Sequence, residues 1–276
     1  MSKKSDELEK AIVEMVEKNI GTCIPKDIPE WMKNEGIKSG AKIIDVDGIG
    51  SKNRKNKTDV IIYLEESEPI KISAKLTNAD YFGNWYGHKR FLEEFGVEAF
   101  KRMTEAATKW ANEWAKTAVA PYVGVSICFG RRSGRTGQNF TDIFNEEDIL
   151  TVAKGFGEGI SVANCMYISD DNPRNILDLF MKLEEITNET VVKATEGFKV
   201  AYRPINPISE GTNRGKNVYT QFVPNEKMDK LTIITNPKEL FKMGKFDRVE
   251  PVALNHNHIL NKLESDFNIK IPRKAK

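Results

Sequence analysis

Apolar positions first recur at helical spacing. Leu8, Ile12, Met15 and Val16 form a stripe between Ser5 and Asn19, with Asp6 and Glu7 in the first turn, where a helix dipole favours negative charge. Ser5 is the expected cap and Gly21 the expected end. Pro25 to Gly40 is punctuated, with a short helix expected around Trp31. The period then shortens. Ala41–Gly48 (AKIIDVDG), Thr58–Glu65 (TDVIIYLE) and Ile70–Leu76 (IKISAKL) are short β-branched runs bounded by turn residues, and they predict three strands. Phe100, Met103, Ala107, Trp110 and Trp114 predict helix between Arg90 and Thr117, broken near Gly96. Pro121–Gly130 (PYVGVSICFG) predicts a fourth strand, buried on both faces. The order to this point is α, β, β, β, α, β.

Beyond Gly130 the pattern is more irregular. A short helix is expected at Glu146–Ala153 and a stronger one at Pro173–Glu189, where Ile176, Leu177, Phe180, Leu183 and Ile186 keep helical period. FKVAYRP, NVYTQFV and KLTIIT read as strands, and Asn255–Asp266 as a closing helix before a basic tail. The fold class expected is α/β, a mixed central sheet flanked by helices with an additional α+β C-terminal part. Residues 1–130 would form the core, and residues 131–276 an accessory part, as a separate domain or a lobe on the same core.

Composition narrows the function classes. The chain has 276 residues, 42 Lys and Arg against 40 Asp and Glu, and a net charge of +2. Its 39% hydrophobic content is ample for a core and argues against wholesale disorder. No apolar run approaches the roughly 18 residues of a membrane helix, so no span is expected. The N-terminus lacks the apolar stretch of a secretory signal. Cys23, Cys128 and Cys165 are widely spaced and in no CxxC pair, which fits reduced thiols in a cytoplasm and excludes a cysteine zinc knuckle.

The most informative stretch joins Asp59, at the start of one predicted strand, to Lys75, near the end of the next. Adjacent antiparallel strands bring such ends together. A carboxylate there can hold a divalent metal, and a lysine beside it can orient water and steady phosphate charge. Magnesium suits such a site, since it binds through one or two carboxylates plus phosphates and waters. Lys75 also sits in an otherwise apolar strand, where a lysine needs a partner or a purpose.

The α-β-β-β-α-β order, with Asp59 and the Ser73-Ala74-Lys75 triplet on neighbouring strands, resembles the PD-(D/E)XK nuclease superfamily, most closely type II restriction endonucleases. The resemblance spans roughly residues 5 to 130. It implies that Asp59 and the Ala74 carbonyl bind Mg2+ and that Lys75 is the catalytic lysine. It also implies a double-stranded DNA substrate and, for palindromic sites, a homodimer. Two departures stand out: Ser73 replaces the triplet's usual acid, and Thr58, just before Asp59, replaces the motif's proline. The missing acid would come from a later helix, where Glu93 and Glu94 are candidates, or from the first helix, where Glu9 fits best and Glu14 and Glu17 less well. Asp45 and Asp47 on the preceding strand are a third source. The alternative is a catalytically inactive nucleic-acid-binding protein on the same fold.

Basic loops are candidates for phosphate contact: Lys52, Arg54, Lys55 and Lys57 before Asp59, and Arg131, Arg132 and Arg135 after the fourth strand. Arg214 in a later turn could read a groove, and His88 and Lys89 could touch the scissile phosphate. His256 and His258 lack the spacing of an HNH site, and Gly155-x-Gly157-x-Gly159 lacks that of a dinucleotide fingerprint, so it reads as a small flexible turn. No Walker loop and no GxSxG elbow is present, which disfavours NTPases and α/β-hydrolases.

Overall fold

The computed structural model describes residues 3–49, 57–77, 85–131, 134–195, 197–211 and 217–274. In chain order these form α1 (Lys3–Glu17), α2 (Glu30–Asn34), β1 (Ile43–Gly48), β2 (Val60–Leu64), β3 (Ile70–Lys75), α3 (His88–Ala115), β4 (Val125–Gly130), β5 (Gly137–Asn139), α4 (Glu146–Lys154) and β6 (Cys165–Ile168). There follow α5 (Ile176–Met181), β7 (Leu183–Glu185), α6 (Asn188–Thr195), β8 (Lys199–Pro204), α7 (Pro207–Glu210), β9 (Thr220–Pro224), β10 (Thr232–Ile233), α8 (Pro237–Lys242), β11 (Gly244–Arg248), α9 (His256–Phe267) and β12 (Ile269–Lys270). The protein is of mixed α/β class, and no described helix is long and apolar enough to cross a membrane.

The chain folds as two compact units, each built from two segments. Unit 1 is Met1–Phe82 with Asn145–Phe198, and unit 2 is Gly83–Phe144 with Lys199–Lys276. This differs from the expected division at residue 130. The reason is long-range strand pairing, which local patterning does not report. The strand beside β3 is β6, which runs parallel to it and sets Ser73 opposite Met166 and Lys75 opposite Ile168. The run at Pro121–Gly130 does yield a strand, β4, but it pairs antiparallel with β8 in a separate sheet, ordered β4-β8-β5.

Unit 1 holds a five-stranded mixed sheet, ordered β1-β2-β3-β6-β7. Helix α1 packs along β1, β2 and β3 and touches α5. Its residues Leu8, Ile12 and Val16 are buried at four-residue spacing, one side of the helix. They share a core with Val60, Ile62, Ile70, Ile72, Ala74, Cys165 and Tyr167. The helix begins at Lys3, so Ser5 lies within it instead of capping it. The single helix expected over Pro173–Glu189 is divided into α5, β7 and α6. Glu184 and Glu185 pair with Met166 and Cys165, so sheet-edge pairing overrides the helical period there.

In unit 2 the long helix α3 breaks at Gly96, whose φ is 78°, as its sequence suggests. It packs on β9 and β11, which pair with each other. An aromatic core of Tyr86, Phe91, Phe95, Phe129, Phe144 and Tyr219 fills this unit.

Candidate active site

The antiparallel β2–β3 ladder runs from Ile62 opposite Ile70 to Val60 opposite Ile72. Beyond it Asp59 continues the chain with its backbone held on both sides, its amide donating to the Ile72 carbonyl at 2.8 Å and its carbonyl accepting from Ile49 at 3.0 Å. The carboxylate turns toward β3. Its Oδ2 accepts from the Ala74 amide at 2.8 Å and from Lys75 Nζ at 3.0 Å. Lys75 Nζ also donates to the Ala74 carbonyl at 2.9 Å. The expected meeting of Asp59 and Lys75 is therefore present, with side chains only 14% and 20% exposed.

Glu9 is the carboxylate that joins them from α1. It follows Leu8 into the buried side of the helix and is 8% exposed. Its carboxyl is pushed up from an ordinary 4.5 to about 7, chiefly by burial and next by the negative charge of Asp59, with the Lys75 ammonium offsetting part of the rise. Its Oε1 is buried and has no hydrogen-bond partner among the described residues. The Thr58 and Ser73 hydroxyls, each only 1% exposed, are likewise buried and unpartnered. Buried polar atoms are nearly always satisfied, so an orphaned Glu9 oxygen on a carboxylate that feels both Asp59 and Lys75 marks a place where an ion or water can complete the structure.

The donor set suits a hard cation. Asp59 Oδ1 accepts no hydrogen bond among the described residues, because both contacts to this side chain use Oδ2. Asp59 Oδ1, Glu9 Oε1 and the Ala74 carbonyl are all oxygen donors, the kind magnesium prefers. No group of three or more His, Cys, Asp or Glu side chains that could hold a metal gathers among the described residues. A cation at this place would therefore rely on two carboxylates, backbone oxygen, and water or substrate. Ser73, two residues before Lys75 on β3, carries a hydroxyl and not a carboxylate.

Other expected residues lie elsewhere. Glu93 is an exposed residue of α3 in unit 2. Its neighbour Glu94 is fully engaged, accepting from Arg90 Nε at 2.6 Å and from the Tyr86 hydroxyl at 2.7 Å. Asp47 accepts from the Tyr63 hydroxyl, and Asp45 from the Val46 amide. The expectation for His88 is overturned. It is 1% exposed, its Nε2 lies 2.7 Å from the Val218 carbonyl, and its Nδ1 accepts from the Ala253 amide at 3.2 Å. Both ring nitrogens serve the backbone, and burial lowers its pKa. A histidine so enclosed cannot reach a phosphate.

Lys89 is exposed on α3, and Arg131 is half-buried after β4, both in unit 2. Arg135 stacks its guanidinium 4.9 Å from the Trp114 ring centre and donates to the Thr117 hydroxyl. Lys57 lies in unit 1, two residues from Asp59. Lys52, Arg54, Lys55, Arg132 and Arg214 fall outside the described residues.

Sequence reasoning missed the clasp at the ends of parallel strands β3 and β6. Asp170 accepts there from both the amide and the hydroxyl of Thr77, and Ser169 donates its amide to the Lys75 carbonyl at 3.1 Å. The four-residue run CMYI was its only signal. Protein-family models, curated proteins and solved structures offer no match to the chain, so the site is read from its own geometry.

Proposed function

We propose that unit 1 is a magnesium-dependent endonuclease core of the restriction type, hydrolysing phosphodiester bonds in double-stranded DNA. The observation that carries this reading is the Asp59–Lys75 contact beside the unpartnered Oε1 of Glu9. Unit 1 alone runs α1, β1, β2, β3, α4, β6 once the short α2 is set aside, the element order that the resemblance requires. A homodimer is the assembly proposed, since palindromic sites are read by two-fold pairs.

The chemistry follows from hydrogen-bond accounting. An ammonium has three N–H donors. Lys75 uses one on Asp59 and one on the Ala74 carbonyl, which leaves the third for a non-bridging phosphate oxygen. The positive charge is thus fixed where negative charge grows as water attacks phosphorus. Asp59 Oδ1, Glu9 and the Ala74 carbonyl would hold Mg2+, which supplies Lewis-acid polarisation and a more acidic bound water. The protein's share is to hold these groups in place before substrate arrives.

Ser73 in place of an acid favours one rival, a fold-sharing protein that binds nucleic acid without cutting it. Supercoiled plasmid incubated with the protein in Mg2+ or in EDTA separates the two. The proposal expects nicking or linearisation in Mg2+ alone, reduced about a hundred- to a thousandfold by Lys75→Ala, the scale at which losing such a stabilising group acts. Salt-sensitive DNA binding with no cleavage would establish the rival.

A further inference from the structure

The segment after α4 carries three left-handed glycines within five residues. Gly155, Gly157 and Gly159 alternate with Phe156 and Glu158, and their φ angles are +96°, +86° and +75°. At Gly157 and Gly159 an added Cβ would meet nothing within 4 Å. Packing therefore does not require glycine there; the left-handed backbone and an uncovered amide do. The amides of residues 156–160 donate to no oxygen among the described residues, and Gly157 to Ile160 are exposed.

The loop is nevertheless held firmly. Gly155 donates to the Thr151 carbonyl at 3.0 Å, and Ala163 to the Lys154 carbonyl at 2.9 Å. Lys57 donates its amide to the Ser161 carbonyl at 3.0 Å. The Lys57 stem packs so closely on Gly155 that a Cβ there would lie 3.0 Å from its Cγ. Lys71 Nζ reaches the Gly159 carbonyl at 3.2 Å. Two lysines thus touch a turn whose amides 156–160 are open among the described residues. Glu158 lies in the loop itself, and Lys154 holds Glu35 at 3.5 Å.

We propose that residues 154–161, with Lys57 and Lys71, form a docking site for the phosphates of a nucleic-acid strand. Exposed amides and flanking ammonium groups are the chemistry that recognises a phosphodiester without reading its base. Lys57 precedes Asp59 by two residues, so a strand bound here is delivered beside the Asp59–Lys75 pair. The inference rests on reading unit 1 as a nuclease for its ligand class, but its test uses no metal and no cleavage.

The experiment is fluorescence anisotropy of the full chain with a labelled DNA duplex in EDTA across a salt series. Each lysine–phosphate contact contributes about 0.9 to the slope of log affinity against log salt. Replacing both lysines (Lys57→Gln with Lys71→Gln, which keep most of the side-chain stem) should lower that slope by roughly 1.8. The same change at Lys10 and Lys33 on α1 and α2 should leave it unaltered. Lys57→Ala with Lys71→Ala, checked for folding by circular dichroism, should repeat the loss. A wild-type slope in the folded Lys57/Lys71 variants, a loss equal to that of the control pair, or no DNA binding by the wild-type protein would each overturn the proposal. Mg2+-dependent cleavage is scored separately. Slope loss without any cleavage supports the dock and overturns the nuclease reading; cleavage with an unchanged slope does the reverse.

Discussion

Asp59 and Lys75 in unit 1 meet at 3.0 Å with side chains 14% and 20% exposed, whereas Glu94 and Arg90 in unit 2 meet at 2.6 Å with side chains 0% and 14% exposed. The residue chemistry is the same and the surroundings differ. Glu94 gives one oxygen to Arg90 and the other to Tyr86, while Arg90 also donates to the Tyr86 hydroxyl and lies 4.2 Å from that ring's centre. Both Glu94 oxygens and the Tyr86 hydroxyl in that trio have their partners. Asp59 instead accepts two bonds on one oxygen and none on the other among the described residues, with the unpartnered Glu9 Oε1 alongside. A closed network locks a helix start onto its core. An open one keeps binding capacity in reserve, and incomplete satisfaction is what separates a site from a strut.

The comparison can be broken by mutation. Loss of Lys75 should act on catalysis, with a fall of about a hundred- to a thousandfold and little change in the urea midpoint. Arg90→Ala should do the opposite, leaving Glu94 buried and uncompensated at a cost of about 3 kcal/mol in urea unfolding. A cost below about 1 kcal/mol, the range of surface pairs, would mean the unit 2 network is not closed as described.

Glu9→Gln sharpens the contrast through pH. The folded carboxyl titrates at about 7 against an ordinary 4.5. Below about 4.5 both folded and unfolded chains carry the proton and nothing is lost. Between 4.5 and 7 only the unfolded chain ionises, so stability falls as pH rises, and above 7 the penalty is constant. In EDTA at pH 8, Glu9→Gln should therefore be more stable than wild type by roughly 2 kcal/mol, with the gain vanishing near pH 4. His256 in unit 2 carries the opposite sign. Burial lowers its pKa from 6.5 to about 4, so the unfolded chain takes up a proton first and stability is lost as pH falls through this range. Acidification from pH 7 to 5 should cost roughly 1–2 kcal/mol, and His256→Gln should remove most of that slope. An unchanged slope would place the acid sensitivity elsewhere.

The parts legible in the sequence were those set by local periodicity. Helical spacing gave α1 with Glu9 beside Leu8, and β-branched runs gave β1, β2 and β3. An acid and a lysine on consecutive strands were enough to bring Asp59 to Lys75, because a hairpin fixes that register over a short loop. What failed was non-local. Nothing in CMYI announces a strand that will lie parallel to one about ninety residues earlier, so β4 was placed in the sheet position that β6 occupies. His88 misled for a related reason: the carbonyl and amide that occupy its ring come from Val218 and Ala253, far along the chain. Glu9 and Glu93 could not be ranked without knowing that one lies in the unit of Asp59 and the other does not.

Glu9→Gln also gives the most direct test of the whole account, because it sets stability against activity in one protein. Urea unfolding and Mg2+-dependent plasmid cleavage should be measured on the same preparation at pH 8. Wild-type protein should cleave, and the variant should be more stable yet at least about a hundredfold slower, having lost an oxygen that holds the cation. A variant that cleaves at the wild-type rate would contradict this role for Glu9.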